Sequence, residues 1–160
     1  MVEGRLDLFL RDALSGRIVE HKPLGKNVVL NQMKAKLGEL IAGSGTTYYI
    51  DQMQFGTGGT DPQSTDTGLA APITPTKTVF TANPHEFSDD PSDSPAYMVS
   101  SDHQVMFIAF LLANEANGFP ISEAGLMAND LTLYTRKTFS PISKSADYIF
   151  EFRWTLTVYS

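Results

Sequence analysis

Alternation of apolar and polar residues is the dominant pattern along this chain. It runs through RLDLFLR near the N-terminus, YYIDQMQF and KTVFT in the middle, and LTLYTRKTF and DYIFEFRWTLTVY near the end. Residues that alternate in this way form strands with one buried face. The stretch DALSGRIVE adds a Ser-Gly turn and a second short strand after the first, which predicts an N-terminal hairpin. HQVMFIAFLLA is apolar on both faces and predicts a central strand covered on each side.

The last strand has the largest aromatic area of the chain on one face. Its other face holds Glu151, Arg153, Thr155 and Thr157. Aromatic side chains spaced by two on one strand form a contiguous apolar surface, whereas sugar-binding sites mix single aromatics with amides and carboxylates on loops. We therefore predict a core or interface face rather than a carbohydrate platform, with Trp154 buried. The face comprises Tyr148, Phe150, Phe152, Trp154, Leu156 and Val158.

One segment, NVVLNQMKAKLGELIAG, has the spacing of a helix. Asn27 is placed to cap its start and Gly43 to end it. The pattern predicts one short α-helix near residues 28–42 with one packed face and one solvent-exposed face. The packed face comprises Val29, Met33, Leu37, Leu40 and Ile41, and the solvent-exposed face comprises Lys34, Lys36 and Glu39.

Together these elements predict a mainly β fold: an antiparallel β-sandwich, jelly-roll-like, in a single domain over residues 1–160. Two connectors rich in Pro, Ser, Thr and Asp, residues 56–76 and 82–96, join strands too few to fold separately. Connectors of this length are usually binding surfaces, or are ordered by a neighbour. We expect both to be mobile in the isolated chain.

Composition narrows the function classes. The chain has 160 residues, 42% of them hydrophobic, and a net charge of -6 without a cluster of basic residues, which argues against nucleic-acid binding. It has no cysteine, which excludes disulfides and thiolate sites. The longest apolar run, VMFIAFLLA, is too short to span a bilayer as a helix, and the N-terminus lacks the pattern of a secretory signal. We expect a soluble protein that binds no membrane.

The run FGTGGTDPQSTDTGL resembles a phosphate-binding loop only in its glycines. It lacks the Lys followed by Ser or Thr of a Walker loop, and Asp61 occupies the third glycine position of a dinucleotide fingerprint. An acidic residue there repels a pyrophosphate. We predict a connector in which glycines adopt positive φ angles and Asp or Thr side chains bond the backbone.

No residue pattern nominates a catalytic centre, a cofactor site or a metal site, and we expect no enzyme activity. The three histidines, His21, His85 and His103, lie in separate segments without ligand spacing. Ser44 in AGSGT lacks the spacing of a nucleophile elbow.

The densest acidic segment, EFSDDPSDSPAY, is the remaining candidate for a cation. It lacks the central glycine and the terminal glutamate of an EF-hand. A solvated, Asp-capped turn is the default interpretation, and calcium binding is the open alternative. Asp66 and Glu123 are likewise predicted to be turn and cap groups. The carboxylates of the acidic segment are Glu86, Asp89, Asp90 and Asp93.

Three motifs in order carry a resemblance to a known family. GTGGTDPQSTDTGLAAPI follows the strand that ends at Phe55, ANGFPISEAGLM comes later, and RKTFSPISKSADYIFEFRWTLTV ends the series. Over about residues 48–158 the chain resembles a β-rich domain of tailed-bacteriophage virion proteins, found in tail-fibre, baseplate, collar and capsid-decoration proteins. The resemblance implies a structural protein built for assembly.

Two details of these motifs lead to local predictions. In ISEAGLM, Ile121 and Leu126 are expected to anchor a strand in the core, and Gly125 to let the chain bend where Glu123 and Ala124 turn outward. Pro141 in FSPISK suits an edge or the join of two strands, because it cannot donate to a ladder.

The expected function is therefore that of a non-enzymatic virion structural protein. A capsid decoration (cement) protein is favoured, because the chain is short and lacks long shaft repeats. A tail-associated component of the collar, baseplate or fibre is the close alternative, followed by a carbohydrate-binding or adhesion module. The expected partners are the major capsid protein or tail proteins and further copies of the chain, as a trimer over a capsid symmetry axis. Shortening residues 82–96 is expected to weaken attachment without loss of thermal stability.

Overall fold

Two five-stranded antiparallel sheets and one helix make up the fold. The structure is a computed structural model that describes residues 2–45, 47–82 and 103–159. All strand pairs in it are antiparallel. The elements are β1 (Val2–Asp12), β2 (Ile18–Lys26), β3 (Val28–Val29), α1 (Asn31–Ile41), β4 (Ile50–Gly56), β5 (Pro72–Thr78), β6 (Phe80–Ala82), β7 (Gln104–Leu111), β8 (Pro120–Ala128), β9 (Leu133–Ser143) and β10 (Tyr148–Val158).

The order of strands confirms the prediction of a mainly β, antiparallel sandwich. The first sheet has the order β2-β1-β10-β7-β6, and the second has the order β3-β9-β8-β4-β5. The predicted N-terminal hairpin is β1 paired with β2. β10 lies at the centre of the first sheet, between β1 and β7.

The core lies between the two sheets and takes its largest side chains from β10. Phe150, Phe152 and Trp154 are fully buried there and Leu156 nearly so, as the alternation predicts. The ends of the same face are different, because Tyr148 is 36% exposed and Val158 53%. The remaining core residues are Leu6, Leu8, Leu10, Met53, Phe55, Phe107, Ala109, Leu111, Ala116, Ile121, Ala124 and Leu126.

The predicted central strand, β7, is buried on both faces. Phe107 and Ala109 point into the main core, while Met106 and Ile108 form a second small cluster on the opposite side of the sheet. Phe110 packs against that second cluster. Odd-numbered and even-numbered positions of β7 are both apolar, and both faces of the strand are buried, as predicted.

The helix forms, but it starts later than predicted and does not pack as predicted. Val28 and Val29 pair with β9 as β3, so α1 begins at Asn31, and its N-cap is Leu30 without a side-chain cap. Asn27, the predicted cap, instead accepts a hydrogen bond from Trp154 Nε1 at 3.2 Å. Gly43 follows the helix at φ 72°, which confirms its role as terminator.

The predicted apolar face of α1 is covered only at its start, where Met33 is half-buried and packs against the main core. No residue of the helix is buried, and Leu37, Leu40 and Ile41 are 41%, 41% and 81% exposed. A period of 3.6 residues shows which side chains share a helix face, but it does not show whether the same chain supplies a surface to cover that face.

The motif ISEAGLM lies in β8, and the prediction for its centre is wrong. Ile121 and Leu126 are in the core as expected, but Glu123 and Ala124 are fully buried rather than turned outward. Gly125 does not have a positive φ angle. A Cβ at this position would lie 2.5 Å from Leu133 Cδ1 and 2.9 Å from the Thr135 carbonyl oxygen, so a close approach of β9 requires the glycine.

Replacing Gly125 with Ala is expected to destabilise the fold by about 1–3 kcal/mol, because the added methyl group meets backbone that cannot move aside. Gly38→Ala is the matched control. A Cβ at Gly38 meets nothing within 4 Å, and alanine favours the helix, so a stability gain of up to about 1 kcal/mol is expected. Urea unfolding of the two variants measures the difference. Equal stability of Gly125→Ala and the parent would contradict the close approach.

The two predicted connectors have different outcomes. The first is shorter than predicted, because β5 begins at Pro72 and leaves residues 57–71 as the loop. The second, 82–96, lies outside the described residues from position 83 onward. Pro141 lies inside β9 and not at a join of two strands, but beyond the residues that pair with β3, so it has the predicted edge position, opposite an irregularity in the pairing with β8. No helix of the described part is long and apolar enough to cross a membrane.

Candidate functional site

A buried carboxylate holds the 57–71 loop against the second sheet. Glu123 Oε1 accepts the backbone N–H groups of Gly58 and Ala71 at 3.1 and 2.7 Å, and Oε2 accepts that of Ala70 at 3.1 Å. Three backbone donors from both ends of the loop therefore converge on one side chain. Charge-assisted bonds of this kind are stronger than neutral ones, so the loop is tied at its base.

Arg136 completes this centre from the neighbouring strand β9. Its guanidinium donates to Glu123 Oε2 from Nε at 3.1 Å and from Nη2 at 2.9 Å. It also bonds Asp66 Oδ2 at 2.7 Å and the hydroxyl and carbonyl oxygens of Thr60 at 3.0 and 3.1 Å. The guanidinium thus links the middle of the loop to its base.

The loop also fixes the beginning of the helix. Asn31 N donates to the Ser64 carbonyl at 2.8 Å, and Gln32 Nε2 donates to the Asp66 carbonyl at 3.1 Å. Asp66 accepts the Gln63 N–H at 2.9 Å, which confirms its predicted turn role. Its pairing with Arg136 was not predicted. These contacts favour an ordered loop over residues 57–71, in place of the mobile connector expected from the sequence.

The glycines of FGTGGTDPQSTDTGL allow close approach rather than unusual backbone angles. None of them has a positive φ angle, contrary to the prediction. A Cβ at Gly56 or at Gly58 would lie 2.5 Å from Glu123 Oε1. The phosphate-loop appearance of this run therefore arises from a backbone that surrounds the protein's own carboxylate.

The electrostatics of this centre keep both groups charged. Burial of the Glu123 carboxylate works to raise its pKa, but the hydrogen bonds from Ala71, Ala70 and Arg136 outweigh burial and hold the pKa below its ordinary value. Burial likewise works to lower the pKa of Arg136, and the bonds to Asp66 and Glu123 outweigh it, so that pKa lies above its ordinary value.

Acid is expected to weaken the attachment of the loop. Because the pKa of Glu123 is lower in the folded chain than in the unfolded chain, the carboxylate contributes stability above its unfolded pKa of about 4.3. That contribution is lost as the pH falls through the lower folded pKa. Amide exchange of Gly58, Ala70 and Ala71 against pH measures it. Protection that increases as the pH falls from 5 toward 2 would contradict the assignment.

A second buried carboxylate lies on the outer face of the first sheet. Glu151, on the predicted polar face of β10, is fully buried. Arg11 Nε donates to its Oε1 at 3.0 Å, and Arg153 Nε donates to its Oε2 at 2.5 Å. Arg11 also donates to the Gly16 carbonyl at 2.8 Å. Alternation identifies this face as polar, but no periodicity distinguishes a buried carboxylate from a solvated one.

Aromatic rings extend this outer face toward β2. The ring of His21 stacks on that of Phe9 with centroids 4.3 Å apart, and the Arg153 guanidinium lies 3.9 Å from the Phe9 centroid. His21 Nε2 lies 2.8 Å from Asp7 Oδ1. The side chains around Glu151 are therefore ordered by mutual contacts, and His21 lies at the exposed edge of this group.

An apolar groove of about 610 Å³ lies between α1 and the start of β1, open to solvent. The groove is continuous with the sandwich core. The pair Val2 and Val158 lies on the same face of the sheet as the pair Gly4 and Leu156, two residues closer to the open end. The groove exposes an end of the core that the described chain does not cover. Its apolar lining comprises Val2, Val29, Met33, Leu37 and Ile41.

The residues that the sequence suggested for chemistry do not come together in the described part of the chain. His21 lies in β2 and His103 in the turn before β7, with φ 67°. Ser44 follows the helix and is exposed. His85 and the acidic segment with Glu86, Asp89, Asp90 and Asp93 lie outside the described residues. Among the described residues, no group of three or more potential ligands is placed to hold a metal.

The three motifs that carry the family resemblance meet at one point. The loop, Glu123 of ISEAGLM and Arg136 of RKTF form the hydrogen-bonded centre described above. Segments far apart in sequence thus form one local unit. No family model, curated protein or solved structure matches this chain.

Proposed function

We propose that this chain is a non-enzymatic structural protein of a tailed-bacteriophage virion, and that it binds the outside of the capsid as a decoration protein. Its partners on this proposal are the major capsid protein and further copies of itself, as a trimer. The virion is its location.

The observation that supports the proposal is the convergence of the three resembling motifs on Glu123 and Arg136. Each motif is weak alone, and a chance series has no reason to bring its charged and glycine residues into one centre. Gly58 leaves room for the Glu123 carboxylate and donates its N–H to it, and Arg136 donates both to that carboxylate and to the loop. The motifs therefore behave as parts of one structural unit.

The groove beside α1 supports an assembly role. Soluble monomers rarely leave an end of the core open, and apolar surfaces of this kind mark protein interaction sites. Leu37 and Ile41 on the helix, with Val2 on β1, provide such a surface. A protein that becomes part of a larger particle covers this surface when it assembles.

A tail-associated component is the second candidate, because the same resemblance extends to collar, baseplate and fibre proteins. The decisive experiment is mass spectrometry of purified virions after heads and tails have been separated. A decoration protein is expected with the heads, in many copies per particle. Recovery with the tails would support the alternative, and absence from both fractions would contradict the proposal.

The carbohydrate-binding alternative is tested separately. Its candidate platform on β10 is buried at Phe150, Phe152 and Trp154, so these rings are not available to a sugar. A glycan array with the purified chain, with and without calcium, is expected to show no specific binding. A specific glycan signal would favour the adhesion module.

A further inference from the structure

The turn between β1 and β2 presents one leucine entirely to solvent. Leu14 is 99% exposed. The turn around it is well defined: the N–H groups of Leu14 and Ser15 donate to Asp12 Oδ1 at 3.1 and 2.7 Å, and Gly16 N donates to the Asp12 carbonyl at 2.8 Å. An apolar side chain on a preorganised turn loses little conformational freedom when a partner covers it. The turn is therefore suited to act as an anchor.

The groove lies at the opposite end of the same strand. β1 begins at Val2, which lines the groove, and ends at Asp12, which begins the turn. An eleven-residue strand is about 35 Å long. Leu14 therefore cannot reach the groove of its own chain, so a Leu14 side chain can enter the groove only from a second copy.

The charges at the two ends are complementary. Two charged residues line the groove: Glu3 is paired with Lys26 at 2.6 Å, whereas Lys34 contacts Asn31 Oδ1 at 3.4 Å and has no acidic partner within the described residues. Asp12 at the turn carries a carboxylate whose pKa is held below its ordinary value, mainly by the backbone hydrogen bond from Ser15, so it is charged at neutral pH. Opposite charges at the edge of an apolar contact fix its orientation and speed the encounter.

We propose that the β1–β2 turn of one copy docks into the groove of the next, with Leu14 inserted between α1 and β1 and Asp12 facing Lys34. The contact rests on the proposed function, since it is the self-association that a virion structural protein needs. It joins two different surfaces and is therefore head-to-tail, so it either closes into a ring or extends as a filament. A three-membered ring agrees with the expected trimer.

Two variants that each remove one half of the contact test this proposal. Leu14→Asp removes the anchor and keeps the groove, whereas Leu37→Asp damages the groove and keeps the anchor. Both positions are solvent-exposed in the chain, so both variants are expected to fold. Analytical ultracentrifugation is expected to show a ring or longer oligomer for the parent and a monomer for each variant alone. An equimolar mixture of the two is expected to form a one-to-one heterodimer, because one intact anchor and one intact groove remain.

Milder and control substitutions complete the experiment. Leu14→Ala is expected to weaken association by about tenfold to a hundredfold, from the apolar area it removes. Leu131→Asp changes a leucine that is 65% exposed in another turn and is expected to associate like the parent.

Several results would overturn the head-to-tail contact. These are a monomeric parent at the highest soluble concentration, oligomers of Leu14→Asp alone, and a mixture that stays monomeric. A monomeric parent that is nevertheless found in purified virions would overturn this contact and leave the proposed function standing. Head-to-tail oligomers of a chain that is absent from virions would support this contact and contradict the proposed function.

Discussion

Replacing Glu123 with Gln is expected to cost about 3–5 kcal/mol of folding stability, because it removes the fully buried counter-charge of Arg136 and leaves only the partly exposed Asp66. The amide also replaces one acceptor oxygen with a donor that faces the N–H groups of the loop. Glu123 is fully buried and accepts from Gly58, Ala70 and Ala71. Neither amide orientation satisfies all of these donors. Urea unfolding measures the loss.

A local measurement separates this effect from general destabilisation. In Glu123→Gln the amides of residues 57–71 are expected to exchange faster than those of β1 and β10, because the loop is released before the sandwich unfolds. Glu20→Gln is the matched control. Glu20 pairs with Lys22 at 2.7 Å, but both side chains are exposed, so a change within about 0.5 kcal/mol is expected. Uniform exchange across the loop and the strands would contradict the anchoring role.

The partner residue gives a second comparison. Arg136→Met leaves the carboxylate with three backbone donors, but it releases Asp66 and Thr60 in the middle of the loop. Because the two side chains share one network, the stability losses of the single variants are expected not to add in the double variant. Additive losses would show that the guanidinium and the carboxylate act independently.

The sheets were predictable from the sequence because alternate apolar positions show which face of a strand is buried. In β10, Phe150, Phe152 and Trp154 are buried as the alternation predicts, and both faces of β7 are covered as its apolar run predicts. The helix at 31–41 was predictable as an element. The exposure of Leu37, Leu40 and Ile41 was not predictable, because the burial of a helix face depends on the path of other segments in three dimensions.

The site was less predictable than the fold. Glu123 and Glu151 occur in sequence as ordinary carboxylates on polar faces, and their burial depends on partners at distant positions. Arg136 is 13 residues from Glu123, and Arg11 is 140 residues from Glu151. Glycine spacing in the 57–71 loop was a usable signal, although it indicated close approach to a side chain rather than positive φ angles.

Replacing Trp154 with Ala is expected to cost about 3–5 kcal/mol, through the large cavity left between the sheets. The indole is fully buried, stands opposite Leu6 on β1 and Phe107 on β7, and donates from Nε1 to Asn27 Oδ1 at 3.2 Å. Trp154→Phe keeps most of the apolar volume but removes the donor, so a smaller loss of about 1–3 kcal/mol is expected. The difference between the two separates the cavity from the hydrogen bond.

Tyr148→Ala is the control for Trp154, because Tyr148 shares the face of β10 but lies at its open end, 36% exposed. Its loss is expected to be well below that of Trp154→Ala, since the removed ring leaves a site that water can fill. Trp154 is the only tryptophan of the chain, so its fluorescence reports this place alone. We expect emission shifted to shorter wavelength in the native protein and to the free-indole wavelength on unfolding. Native emission already at the free-indole wavelength would place the ring in water and would contradict the burial of Trp154 between the two sheets.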